Sequence, residues 1–201
     1  QITDDIIDLI SKSKIIVDHL HVPLQAGCDE TLKRMNRKYN CEQYYEKLSK
    51  IRRLIPDIVF TTDVIVGFPG ESEEEFEKTY EFIKKVGYTQ LHVFPYSERP
   101  GTAALKIPYV VSDKEKKLRS KRLLELSDQK TQEFYAQYIG TEAEVLFEKA
   151  PRGKAMHGFT KNYVRVELSP ALAKEEYDNQ LLRVRLGDFN HDKTALKAEL
   201  L

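Results

Sequence analysis

Residues 58–87 read IVFTTDVIVGFPGESEEEFEKTYEFIKKVG. Ile58 to Val66 is a run dominated by branched and apolar side chains, the composition of a strand. The turn-rich Gly67-Phe68-Pro69-Gly70 ends it. Ser72 with Glu75 then forms a capping box, in which each side chain satisfies an N–H that the first helical turn leaves unpaired. Phe76, Tyr80 and Ile83 recur on one helical face before Gly87 stops the helix. Strand, glycine turn and helix in this order make a βα unit.

Working outward, the same grammar repeats. Ile15 to Leu24 (IIVDHLHVPL) reads as a strand ending in Pro23-Leu24-Gln25-Ala26-Gly27, and Asp29 opens a helix to about Met35. Asn40 and Gln43 box a helix from Cys41 to Leu54 that Pro56 terminates. Upstream, Thr3 can cap a short helix built on Ile6, Ile7, Leu9 and Ile10; downstream, Tyr88 to Tyr96 is a third strand. A long helix follows from Ser112, boxed by Glu115, to about Ile139, with Gly140 beyond its end. Three parallel strands are too few to cover themselves, so this α/β part reads as half of a larger open or closed (βα) barrel.

After Gly140 the texture changes. Glu142 to Phe147, Tyr163 to Leu168 and Leu182 to Leu186 alternate polar with apolar residues, and Gly153, Gly158 and Gly187-Asp188 read as the turns between them. Short strands without a helical pattern point to a small barrel that closes to remove its edges. The boundary falls near 138–141, giving domains 1–139 and 140–201.

Composition sets outer limits. Hydrophobic residues at 41% and charged residues at 32% describe an ordinary globular mixture, and 32 basic side chains balance 32 acidic ones. Neutrality overall can hide a local basic stripe. No apolar run approaches the roughly 18 residues of a membrane span, and Gln1 to Ile10 lacks the pattern of a signal peptide. Two cysteines, Cys28 and Cys41, do not make a disulfide framework, and a reducing cytoplasm is the default expectation. The chain starts at Gln1 rather than Met, as a piece of a longer protein would.

Ligands of parallel α/β sheets gather outside the carboxyl ends of the strands. Gln25-Ala26-Gly27, Gly67 to Glu71 and Tyr96 to Thr102 all sit there. Turn chemistry alone also accounts for any one of these loops. Asp63 is the odd residue of its strand, because a carboxylate among apolar side chains is costly unless paired; capping a nearby backbone is the plain alternative. Arg37 taken alone is a solvated helix-end cation. Phosphate-loop patterns such as Gly-x-x-x-x-Gly-Lys are absent. His19, His21 and Cys28 lack the further ligands of a tetrahedral zinc site.

The string His19-Leu20-His21-Val22-Pro23-Leu24-Gln25-Ala26-Gly27-Cys28-Asp29, with Leu32, Met35-Asn36-Arg37 and Tyr39, resembles the methylthiotransferase family of radical S-adenosylmethionine enzymes. So do Thr62 to Glu71 and Tyr96 to Ala103, in the family's order and spacing. The segment beyond residue 140 resembles the family's TRAM domain, an RNA-binding barrel. The resemblance implies S-adenosyl-L-methionine as cofactor and two 4Fe–4S clusters in the full-length enzyme, one of them held by a Cys-x-x-x-Cys-x-x-Cys loop. Cys28 and Cys41 are too few and wrongly spaced for that loop, so no metal ligand or catalytic residue is expected here, and this part alone should be inactive.

By position, the resemblance carries Gln25, Arg37 and Asp63 to the cofactor, with Val66 and Gly67 beside the adenine, and turns Tyr96 and Arg99 toward substrate. A guanidinium suits the cofactor's carboxylate, and amide or carboxylate side chains suit its hydroxyls and ammonium. The form His-Leu-His-Val-Pro-Leu-Gln-Ala-Gly, through His21 and Leu24, is similar to the branch acting on threonylcarbamoyl-adenosine of tRNA. Other branches act on isopentenyl-adenosine or on a ribosomal-protein aspartate. In the barrel, Lys161, Asn162, Tyr163 and Arg165 combine phosphate-binding cations with a ring able to stack on a base of the tRNA anticodon arm; a solvated strand face is the alternative. A non-catalytic RNA-binding module is the rival reading of the whole chain. The sulfur donor is left open.

Overall fold

The computed structural model describes residues 2–13 and 15–201. Along it run α1 (Asp4–Lys12), β1 (His19–His21), α2 (Asp29–Arg34), α3 (Cys41–Leu54), β2 (Val59–Val66), α4 (Glu73–Val86), β3 (Gln90–Pro95) and α5 (Asp113–Ala136). Then come β4 (Glu142–Phe147), β5 (Met156–Thr160), β6 (Arg165–Leu168), β7 (Leu181–Phe189) and β8 (Leu196–Leu200). All three capping boxes form as the sequence predicts: Asn40 accepts from the Gln43 N–H while Gln43 reaches back, and Ser72 with Glu75 and Ser112 with Glu115 do the same. Gly87 ends α4 in the left-handed conformation at φ 70°.

Contacts divide the chain into two compact units, α1 with Leu20–Lys130, and residues 15–19 with Thr131–Leu201. The division lies inside α5 rather than at 138–141, because Phe134, Tyr135 and Tyr138 pack against the core of the second unit.

In the first unit the sheet order is β1-β2-β3, and β2 pairs β3 in parallel from Thr61↔Gln90 to Val66↔Pro95. Phe60, Val64 and Val66 are fully buried, as are Leu48, Ile51, Phe76, Ile83 and Leu123 of the helices. Asp63 and Ile65 are only half-buried, beside the exposed His92 and Phe94 of β3. One sheet face is therefore sealed and the other is accessible. Only His19–His21 of the predicted Ile15–Leu24 strand is regular, and Ile15 stands 92% exposed, its N–H donating to Ser13 Oγ at 3.1 Å.

The second unit contains a closed barrel in the order β4-β5-β6-β8-β7, with β4 pairing β7 to close it. Val145, Phe147, Val166, Leu168, Val184, Leu186 and Leu196 fill it. Two of the glycine readings need correction, while Gly153 does lie in a turn. Gly158 lies inside β5, opposite Phe147, where a Cβ would run into the Leu146 carbonyl. Gly187-Asp188 lies inside β7, at the register shift between Leu186 and Phe189. Among the described residues no helix is long and apolar enough to cross a membrane.

Candidate active site

The accessible sheet face ends in a cavity of about 550 Å³, lined among others by Gln25, Asp63, Ile65, Phe68, Tyr96 and Arg99. Backbone pairing brings these residues together. Gln25, although φ 71° places it in the left-handed region, bridges β2 by donating its N–H to the Asp63 carbonyl at 2.9 Å and accepting from the Ile65 N–H at 2.8 Å. Tyr96 follows β3 and donates its N–H to the Val66 carbonyl at 2.8 Å. Apart from Asp63, which lies inside β2, these positions lie at or beyond the carboxyl ends of parallel strands, where such sheets bind ligands.

Asp63 is held by a partner that sequence inspection missed. His21 Nε2 lies 3.2 Å from Asp63 Oδ1, and its Nδ1 lies 3.0 Å from Thr61 Oγ1. The His92 ring is 5.5 Å from that of His21. The signal was present in the alternation of β1, but only the parallel register puts His21 beside Asp63. Arg37 does not line the cavity. Its Nη2 donates to Gln25 Oε1 at 3.0 Å, fixing the amide that does.

Val66 and Gly67 do not line it either. Strand alternation turns Asp63 and Ile65 to the cavity and Val64 and Val66 into the core. Gly67, at φ 73°, sits so close to Lys116 that a Cβ would overlap the lysine stem. Its N–H donates to Glu71 Oε1 at 2.9 Å, and the same carboxylate accepts from Arg119 Nη1 at 2.7 Å. Both side chains of this pair are about 2% exposed. Burial pushes the Glu71 carboxyl up, against the opposing pull of the Gly67 N–H and Arg119. The pair anchors the glycine loop to α5 and sets the rim behind Phe68.

In the second unit, Lys161, Asn162 and Tyr163 form the turn between β5 and β6. The Tyr163 N–H donates to the Thr160 carbonyl at 3.0 Å, and Thr160 Oγ1 bonds both Asn162 Oδ1 and the Val164 N–H. Lys161 is ion-paired to Asp18 at 2.8 Å, and Tyr163 stacks on His19 with ring centroids 4.1 Å apart. Arg165 is half-buried at the start of β6. The four residues lie close together in the chain, but Lys161 and the Tyr163 ring already have partners.

Residues 1–83 match the family model described as the Radical SAM superfamily. The chain is 44% identical over 170 residues to the threonylcarbamoyladenosine tRNA methylthiotransferase MtaB of Bacillus subtilis, covering 83% of this chain and 38% of that protein. The chain is related to the radical SAM methylthiotransferases. It is also 36% identical over 191 residues to the tRNA-2-methylthio-N(6)-dimethylallyladenosine synthase of Finegoldia magna, covering 94% of this chain and 41% of that one. The chain thus spans about two fifths of the length of the curated proteins it matches. Among solved structures, coproporphyrinogen III oxidase (HemN) from Escherichia coli, a radical SAM enzyme, shares the fold at a TM-score of 0.51 and 15% identity. That match covers 78% of this chain and 43% of the oxidase.

The radical SAM family implies a sulfonium cofactor and iron–sulfur clusters, and the residues present fit the two differently. The cavity offers a carboxylate, a guanidinium, an amide and an apolar wall, which match an amino-acid zwitterion joined to a flat base. A four-iron cluster does not fit the cysteines present. Cys28 is buried and donates its thiol to Glu30 Oε2 at 2.8 Å, and burial raises both its pKa and that of Cys41, against the thiolate a cluster needs. Among the described residues no group of three or more His, Cys, Asp or Glu is placed to hold a metal ion.

Proposed function

We propose that this chain supplies the cofactor-binding rim and a TRAM-type RNA-facing barrel of a longer cytoplasmic radical SAM enzyme. On this reading the enzyme adds a methylthio group to C2 of threonylcarbamoyl-adenosine beside the tRNA anticodon. The carrying observation is the gathering of Gln25, Asp63, Tyr96 and Arg99 on one cavity in a chain so similar to the Bacillus subtilis enzyme. Bound there, S-adenosylmethionine would supply a carbon radical on reductive cleavage. The 4Fe–4S clusters of that chemistry would be held by residues other than those described here.

The chain's own side chains then bind and orient. Asp63, steadied by His21, accepts from the ammonium or the ribose hydroxyls. Gln25, fixed by Arg37, adds a second polar contact from the neighbouring strand. Ile65, Phe68 and Phe94 exclude water from the reacting end, and Arg99 with Tyr96 faces the incoming nucleotide. Water exclusion matters because each polar contact strengthens as the local dielectric falls.

The test is mass spectrometry of tRNA nucleosides from cells lacking this gene. The 2-methylthio group should vanish from threonylcarbamoyl-adenosine and return on complementation; its persistence would refute the substrate assignment. A second reading, favoured by the likeness to the Finegoldia magna synthase, predicts the loss on the isopentenyl (dimethylallyl) nucleoside instead.

A further inference from the structure

The connection between β4 and β5 carries Lys149, Arg152 and Lys154 with no acidic residue between them. Its turn is defined by chemistry. The Lys154 N–H donates to the Pro151 carbonyl at 3.0 Å, and Gly153 takes φ 75° at the position where a type II turn requires a left-handed residue. The three cations line, with Lys174, Glu175 and Asp178, a cavity of about 460 Å³ within the second unit.

Ion pairing separates these cations from Lys161 and from other cations of the second unit. Lys161 is engaged by Asp18 at 2.8 Å, and Arg183 and Arg185 share Glu142 at 3.0 and 3.3 Å. Lys174 meets Glu176 at 3.4 Å. Among the described residues no ion pair engages Lys149, Arg152 or Lys154. Unpaired like charges around one concavity repel each other, and an anion that bridges them relieves the repulsion. The two carboxylates on the same lining do not oppose a polynucleotide. They can accept from ribose 2′-hydroxyls, which RNA has and DNA lacks.

We propose that this cavity is a phosphate-binding site for a single-stranded RNA backbone, with Lys149, Arg152 and Lys154 on the phosphate oxygens. The proposal rests on reading the barrel as the RNA-facing unit, and moves the electrostatic contact from the Lys161 turn to the β4–β5 turn.

The experiment titrates an anticodon stem-loop RNA with the whole chain by fluorescence anisotropy across a range of salt. Replacing all three cations (Lys149→Ala, Arg152→Ala, Lys154→Ala) should weaken binding at least tenfold. It should also flatten the slope of log affinity against log salt by about 2, roughly 0.7 for each lost single-strand phosphate contact. The thermal midpoint should be unchanged, since all three side chains are exposed. Lys161→Ala should change affinity and slope less. A folded triple variant that keeps the parental affinity and slope overturns the site while leaving an RNA-facing barrel standing. A parental chain with no salt-dependent RNA binding overturns both. DNA of the same sequence binding as tightly would overturn the assignment to RNA.

Discussion

Asp63 shows how far a single residue can be read. A carboxylate in the run VFTTDVIV is conspicuous by its cost, and that alone marks it for a partner or a ligand. Its partner His21 became visible only through the parallel pairing of β1, β2 and β3, a non-local property that no window of sequence contains. The same geometry grades the rim. Asp63 faces the cavity while Arg37 acts through Gln25, so in the longer enzyme Asp63→Asn should weaken S-adenosylmethionine binding by roughly 10- to 150-fold, the value of a charged hydrogen bond. Arg37→Ala should cost less; equilibrium dialysis that ranks them the other way would contradict this geometry. The Glu71–Arg119 pair was not legible, because the two lie 48 residues apart and each reads as a solvated charge. Arg119→Met strands a buried carboxylate and should cost about 3–5 kcal/mol, whereas Glu71→Gln with Arg119→Met should recover much of it; urea melts of the two variants decide this. Glu75 behaves oppositely. Burial works to raise its pKa, but the bonds from Arg34 and the Ser72 N–H outweigh burial and hold it below the ordinary value. A depressed carboxyl stabilises the fold above its unfolded pKa and loses that contribution as pH falls through the folded one. The stability gap between the parent and Glu75→Gln should therefore be full near neutral pH and close well below about pH 4.

At the level of elements, local chemistry was read well where it is self-contained. A capping box needs only four residues, so α3 and α4 were placed to within a residue of their starts. Strands β5 and β8 were missed for two different reasons. Leu196-Lys197-Ala198-Glu199-Leu200 is made of helix formers, and only pairing with β6 and β7 extends it. Met156 to Thr160 has a glycine at its centre, which punctuates a sequence as a turn but here lets β4 and β5 approach closely. Gly158→Ala would drive a methyl into the Leu146 carbonyl and should destabilise the barrel by about 1–3 kcal/mol, the usual cost of overpacking. Gly153→Ala, whose Cβ would meet nothing within 4 Å, should cost less, through its positive φ alone. Equal losses for both in denaturant titrations would show that β5 does not need the contact.

Across the whole molecule, acidic and basic side chains cancel at 32 each, with an isoelectric point near 7.1. Solubility should pass through a minimum close to neutral pH and recover on either side, because a protein without net charge lacks self-repulsion; turbidity against pH measures it. The purified chain, reconstituted anaerobically with iron and sulfide, should acquire no stoichiometric cluster, and a four-iron absorbance band would count against the reading of its two cysteines. One feature of the barrel also orders events in time. Strand β8 pairs with β6 in parallel and with β7 antiparallel, so both keep an open edge until Leu196–Leu200 is available. A ribosome making this chain therefore releases the helices and strands of the first unit well before the barrel can shut. For the seconds that synthesis takes, the nascent barrel is a curled ribbon with adhesive borders, and a stalled or truncated product should be the species that chaperones bind.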